Sequence, residues 1–498
     1  PCATLSRADE DVNGQAQKGI YDPTFGARRL AQDSLSNYEL SSEIYSATVE
    51  WDLTDFTFKS ITSYQEDDIS ILRDNDRHDF SVLPPFFLLQ SYFDPETNLQ
   101  KTRTQEFNLV SAAPAFGKLD WVVGVFYLDT EVDIEIVERL DFGFDGVFDP
   151  FTAEDIITFA PADAGFISNS KPERESTSIY GQGTFALTEA SRIIGGLRYT
   201  RDEVYSEVTN FYGRGGTDIL EIDSNKMTGR LAYEQDINDA TLAYASYTRG
   251  FKPGGSNLTF GREDVVSPIV VLPTFEEETI DAYEVGLKTD LDGGRIRINT
   301  AAFMYAYDNL QYQATDPEVF QGGVGNIPKS EIYGAELEFG AFLTDSLLFD
   351  ARLAWLKTEI TSSHLALDNV QSEAATNALL AQGVSLFSEE VEIARAAEIE
   401  DIKGNELPKT PSLTGNIALT HTASLNGFGE LKTSLSLTYR GDFKHRVFNN
   451  DVTDQVGSYT TIDMLMKLTP DGSPWTVELI GKNLTDRDGI NARFTDVF

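Results

Sequence analysis

The segment Leu431-Lys-Thr-Ser-Leu-Ser-Leu-Thr-Tyr439 alternates with a period of two. Leu431, Thr433, Leu435, Leu437 and Tyr439 share one face, and Lys432, Ser434, Ser436 and Thr438 share the other. That period belongs to a strand whose two faces meet different surroundings. Leu119, Trp121, Val123, Val125 and Tyr127 repeat the pattern, as do Tyr333, Ala335, Leu337 and Phe339, and Leu347, Phe349, Ala351, Leu353 and Trp355. Sixteen such segments are predicted, near 43–52, 56–64, 103–111, 118–131, 175–186, 191–205, 226–236, 239–249, 279–289, 294–307, 331–342, 346–358, 412–422, 430–440, 459–468 and 474–485.

The links between them fall into two alternating sets. Short ones centre on Thr54, Pro114, Thr188, Asn238, Gly293, Thr344, Gly427 and Gly472, several with the Asp, Asn and Gly chemistry of tight turns. Long ones cover 65–102, 132–174, 206–225, 250–278, 308–330, 359–411 and 441–458. A soluble all-β protein of many hairpins has no reason to sort its links this way. A transmembrane antiparallel β-barrel does, with short periplasmic turns and long extracellular loops. The predicted fold is therefore an all-β transmembrane barrel. The same count puts both chain ends on the long-loop side. A complete barrel keeps them in the periplasm, so 1–498 reads as a barrel incomplete at both ends. One or two short helices are expected in 359–411. Ser388 before Glu389 and Glu390 looks like a helix start. Glu373 to Ala381 has helix-forming composition, with Gly383 after it.

Composition narrows this reading. The 498 residues carry a formal charge of −41. Mean hydropathy is −0.26, an average that misleads in a barrel because its two faces cancel. No stretch approaches the roughly 20 apolar residues of a membrane helix. The most apolar run, Val82 to Phe93, is short and carries Pro84 and Pro85. A membrane crossing must then be made by strands closed into a barrel. The acidity argues against a nucleic-acid partner. It serves either solubility or loops that face lipopolysaccharide bridged by divalent cations. Cys2 is the single cysteine and has no internal partner. The chain opens Pro-Cys without Met or a signal peptide, so a missing start is expected. His78, His364, His421 and His445 are scattered, and no nucleophile elbow or P-loop occurs. Neither an enzyme, a cofactor nor a metal site is expected.

Five segments carry a more specific signal. They are Tyr247-Thr-Arg-Gly-Phe-Lys-Pro-Gly-Gly-Ser-Asn257, Glu284-Val-Gly-Leu-Lys-Thr-Asp290, Gly325-Asn-Ile-Pro-Lys-Ser-Glu-Ile-Tyr-Gly-Ala-Glu-Leu-Glu-Phe339, Leu407-Pro-Lys-Thr-Pro411 and Gly481-Lys-Asn-Leu-Thr-Asp-Arg487. In this order, over roughly 247–487, they resemble the barrel of TonB-dependent receptors of the Gram-negative outer membrane. Residues 1–246 match in strand alternation alone. The resemblance implies a 22-stranded barrel, of which about 16 strands are visible here. It also implies a plug domain that this chain does not show, and TonB as the energising partner. The implied function is active import of a scarce ligand, most often a ferric siderophore. A passive sixteen-stranded porin and a surface attachment or assembly protein are the alternatives.

Candidate ligand contacts are the aromatic loop residues Phe86, Phe87, Tyr92 and Phe93, a second cluster of Tyr305, Tyr307, Tyr312 and Phe320, and the mouth cations Arg249 and Lys252. Charges expected to face the lumen, or a plug within it, are Arg198, Arg295, Arg297, Glu336, Glu338, Arg352, Lys432, Glu478 and Lys482, because charge at membrane depth survives only beside water or protein. Gly334 and Gly340 are expected to leave room inside. Gly250, Gly254 and Gly255 are expected to take positive φ, and Asn483 and Asp486 to bond local backbone.

Overall fold

A computed structural model describes residues 37–74, 90–141, 166–211, 216–257, 271–315, 322–385 and 388–489. Sixteen strands build one antiparallel sheet in chain order. They are β1 (Asn37–Asp52), β2 (Phe56–Asp74), β3 (Gln90–Ser111), β4 (Leu119–Asp141), β5 (Phe166–Ala186), β6 (Ser191–Phe211), β7 (Gly216–Asn238) and β8 (Thr241–Lys252), followed by β9 (Glu278–Leu291), β10 (Ile296–Thr315), β11 (Gly322–Thr344), β12 (Leu347–Ile360), β13 (Leu413–Leu425), β14 (Gly429–Arg440), β15 (Tyr459–Pro470) and β16 (Val477–Gly481). Each pairs with its chain neighbours, and β1 and β16 form the two edges. The predicted strands are present at their predicted places.

The apolar alternation sets the faces. Val123, Val125, Leu197, Leu231, Val285, Leu353, Trp355, Leu435 and Leu437 are exposed large hydrophobics on one face. Glu336, Lys432 and Ser436 lie on the other, in register with Ala301, Lys467 and Asp463. Polar partners fill that second face. Arg198 lies over the rings of Phe126 and Tyr180 at 5.4 and 5.2 Å, and Tyr180 donates to Asn108 Oδ1 at 2.5 Å. The sheet thus shows its apolar side outward, the reverse of a water-soluble sandwich.

Strand boundaries differ from the sequence reading at the long-link rim and at β16. Strands β2 to β7 run 19–23 residues, against 12 in β8 and β14. The extra length all lies toward the long-link rim. The segment expected as loop 206–225 is mostly strand, because β6 and β7 pair from Ser191↔Gln235 to Asn210↔Gly216. At about 3.3 Å per residue the extension raises this side of the rim by roughly 20 Å once strand tilt is allowed for. In β4 the acids Glu131, Asp133 and Glu135 continue the row of Val125 and Tyr127, and Val132 and Ile134 take the other face, so the apolar row of the membrane segment ends there although the strand goes on. At the other end, β16 spans Val477–Gly481 and not 474–485.

Short links fall at one rim, as expected. Gly293, Gly427 and Gly472 in them take φ of 61°, 73° and 66°, a region open to glycine without a Cβ clash.

The face assignment has a direct consequence. Leu435→Arg, on the apolar face near the middle of β14, is expected to cost about 2–4 kcal/mol of folding into a bilayer. Ser436→Arg faces the polar side beside Asp463 and is expected to cost little. Urea titration of refolding into lipid vesicles compares the two; equal losses would contradict the assignment.

Candidate functional site at the long-link rim

The link between β12 and β13 folds into a small cap. Helix α1 (Asn369–Leu380) and helix α2 (Glu389–Ala396) pack beside a ribbon of Leu365–Leu367 with Ile399–Asp401. Both helix starts have a side-chain cap. Asp368 accepts from the N–H groups of Val370 and Gln371, and Ser388 accepts from that of Val391. Glu389, Glu390 and Glu392 fill the first turn of α2 and Arg395 its last, as the helix dipole favours. Both predicted helices are present.

An apolar cluster roots the cap on the sheet. Ile327, Ile360, Ala366, Ile402, Leu407 and Val447 are buried together, with Leu310, Tyr312, Ile332 and Phe448 packed against them. They come from β10, β11, β12, the cap and the β14–β15 link. His364 sits at the margin. The Tyr312 hydroxyl lies 2.9 Å from His364 Nε2, and the two rings meet edge-on at 5.4 Å.

Arg446, from the link 441–458, clasps the cap. Its Nε donates to Asp454 Oδ1 at 2.7 Å, and one terminal nitrogen donates to Asp368 Oδ1 at 2.6 Å and Asn369 Oδ1 at 3.0 Å. The Asp368 and Asp454 side chains are 5% and 0% exposed, and that of Arg446 15%. One guanidinium therefore neutralises two buried carboxylates from separate links. Its planar fork suits this better than a lysine ammonium. Asn449 and Asn405 tie the same links through backbone: Asn405 Nδ2 donates to Val447 O at 2.9 Å, and Glu406 N–H donates to Asn449 Oδ1 at 2.7 Å.

The motif residues of the β8–β9 link also hold backbone. Asn257 Nδ2 donates to Leu272 O and Val324 O at 2.8 and 2.9 Å, and its Oδ1 accepts from Val324 N–H at 2.8 Å. Asn326 Nδ2 donates to Glu276 O and Asn309 O at 3.0 and 2.9 Å. These contacts staple both ends of the link to β10 and β11. Gly250, Gly254 and Gly255 do not take positive φ. Gly254 and Gly255 are instead places of close approach, where a Cβ would come within 2.4 Å of Phe275 O and 2.5 Å of the Phe275 ring. The room expected beside Gly334 is filled by Phe303, 2.2 Å from where its Cβ would be. Asn483 does bond local backbone: its Nδ2 donates to Arg487 O at 2.9 Å and its Oδ1 accepts from Arg487 N–H at 3.0 Å, while Asp486 joins through its own N–H, which donates to Asn483 O at 2.9 Å.

The candidate residues scatter more than expected. Phe86, Phe87 and Phe320 lie outside the described residues. Tyr92 and Phe93 are not at a loop tip; their backbones pair with Asp74 and Arg73 inside the sheet. Tyr305 and Tyr307 lie on the polar face and Tyr312 under the cap, so the three are not one cluster. Arg249 is on the apolar face, 3.6 Å from Asp281; it does not point into the mouth. Lys252 is exposed at the end of β8, in register with Glu278. Arg295 is bonded to Asp345 at 2.7 Å on the short-link rim, not in the lumen wall. Arg297 pairs with Asp290 at 2.7 Å and Glu478 with Lys467 at 3.2 Å. Glu338 accepts from Asn299 at 3.1 Å and stands in register with Arg352. Lys482 follows the end of β16 and is exposed. Sequence reasoning missed Arg446, Asp368 and Asp454, whose partners lie 78 and 8 residues from the arginine.

Comparison with known proteins agrees with this architecture. Residues 4–484 match the family described as TonB dependent receptor-like, beta-barrel. The chain belongs to the TonB-dependent receptor family and forms part of its outer-membrane barrel. Among solved structures it is similar to the ferric yersiniabactin uptake receptor FyuA from Yersinia pestis, at 16% identity and a TM-score of 0.69 over 94% of this chain and 60% of that one. The siderophore receptor PiuA from Acinetobacter baumannii follows at 17% and 0.66, over 92% and 62%. The ferric citrate transporter FecA gives 14% and 0.62, over 98% and 61%. Identities this low show the fold alone. The chain spans about 60% of the length of these receptors.

Two measurements check the cap. Arg446→Met strands two buried carboxylates and is expected to destabilise the cap by about 3–5 kcal/mol, read as faster proteolysis within 361–411. The second concerns pH. Burial holds the His364 imidazole below its ordinary value, with Asp401 pulling weakly the other way. The packed cap then refuses a proton that the opened cap accepts. Stability is complete above about pH 6.5 and is lost as pH falls below it. Glu400, raised by burial and by Asp368 and Asp454, acts with the opposite sign, nearer the carboxylate range. Amide protection factors of 365–367 and 399–401, taken against the intrinsic exchange rate at each pH, are expected to fall between pH 7 and 5.5, and His364→Gln to flatten that response.

Proposed function

We propose that the protein imports a scarce, bulky nutrient, a ferric siderophore being the leading class, with the long-link rim outside the cell. The observation that carries this reading is the rim itself. Two long links are clasped into an ordered cap and a third is stapled down by asparagines, on a chain of the TonB-dependent family. Entropy is removed before any ligand arrives, which is what a capture surface requires. The polar face then lines the barrel and the apolar face meets lipid. The energy would come from the inner membrane, with TonB pulling on a plug within the barrel. Capture transmits a signal only if filled and empty rims differ in energy. Ferric yersiniabactin and ferric citrate name the cargo of the similar structures FyuA and FecA, which supports iron-carrier import as the first class to test. A passive pore shares the strand count, and the match of residues 4–484 to the TonB-dependent family favours import over it.

The test is growth of a strain lacking this receptor on single iron and carbon sources. One source is expected to be lost, and the same source lost when TonB is removed. Receptor-dependent uptake that persists without TonB would favour the passive pore.

A further inference from the structure

Below the rim, β8, β9 and β10 enclose a hollow of about 400 Å3 on the polar face. Its lining is Ser246, Thr248, Gly250, Ile280, Ala282, Glu284 and Tyr305. Ile280 and Ala282 give it an apolar part, and Gly250 lets Ile280 lie close, 3.2 Å from where a Cβ would be. Tyr305 is the middle ring of three: Phe303, Tyr305 and Tyr307 alternate along one face of β10, and the first two stack at 4.7 Å. The Tyr244 hydroxyl donates to Glu284 Oε1 at 2.7 Å and holds that carboxylate against the hollow. Glu336, on β11, stands on the same polar face, in register with Ala301 of β10. Among the described residues, neither Glu336 nor the hydroxyls of Ser246, Thr248 and Tyr305 have a side-chain hydrogen-bond or ion-pair partner. Two cations stand on the same face: Lys288 lies over the Tyr244 ring at 5.6 Å, and Arg230 of β7 is in register with Thr248.

We infer that this hollow is a subsite for a protonated amine or guanidinium group. An aromatic face attracts such a cation within about 6 Å of its centroid. A carboxylate supplies the charge-assisted hydrogen bond, and the free hydroxyls accept the remaining N–H donors. An anionic group would meet the Glu284 carboxylate that lines the hollow, a like charge that selects against it. The inference rests on the import reading and deepens it, by specifying one group that the cargo carries. A lysine or arginine of a plug inside the barrel has the same chemistry and is the second source.

The experiment uses the natural full-length receptor in outer-membrane vesicles. Agmatine, which carries an amine and a guanidinium, is the probe, and citrate is the anionic control. Saturation-transfer NMR is expected to show agmatine and not citrate, with the response falling at least tenfold in the Glu284→Gln/Glu336→Gln variant. That outcome assigns the subsite to a diffusing ligand. No agmatine signal, together with a carbodiimide cross-link from Glu284 to a plug lysine, assigns it to the receptor's own plug. Equal agmatine and citrate signals, an agmatine signal unchanged in the variant, or neither signal nor cross-link, overturns the inference. Heat-modifiable mobility on gels reports that the variant is folded. TonB-dependent uptake is measured in the same strains. If uptake is TonB-dependent while the subsite test fails, the subsite alone falls; if uptake is TonB-independent, the import reading falls.

Discussion

Everything in this molecule depends on pairing the backbone. In hydrocarbon no water is present to satisfy a stray N–H or C=O, and each costs several kcal/mol. Sixteen strands in chain order meet that demand between neighbours, and the edges β1 and β16 are where it still calls for partners. Once the ladder is fixed, the side chains have two destinations only. Large apolar groups go to one face, and the charges that a membrane would reject go to the other. The hydrophobic core of a soluble protein is displaced: it survives as a small cluster at the rim, where Ile327, Ile360, Ile402 and Val447 root the cap in a watery setting.

This division explains what was legible. The run Leu431–Tyr439 announces its faces because lipid and lumen impose different chemistry on alternate residues. The turns announce themselves because Gly293, Gly427 and Gly472 supply backbone conformations that few other residues tolerate. Above the membrane the contrast inverts. Glu131, Asp133 and Glu135 continue the row of β4 that carries Val125 and Tyr127, while Val132 and Ile134 take the opposite face, so the strand continues after its lipid-facing pattern has ended.

The rim was legible in parts. Ser388 caps its helix within three residues of itself, and that start can be read at such range, whereas Asp368 was not picked out although it caps at the same range. Arg446 acts across 78 residues, and a lone arginine in a loop carries no sign of its partners. The family motifs marked the right segments but suggested turn chemistry for the glycines. Their actual service is proximity: Gly254 and Gly255 let Phe275 lie against the chain, while Asn257 and Asn326 bond carbonyls that the link would otherwise leave unmet.

The Arg446 clasp has a bearing on how such receptors can be re-engineered. Asp368 both starts a helix in one link and neutralises a guanidinium from another, so the two links form one inseparable graft. Transplanting either alone onto a different barrel would carry over half of a buried charge set. Moving both together would bring the set across whole, and that pair is the smallest exchangeable unit on this side of the barrel.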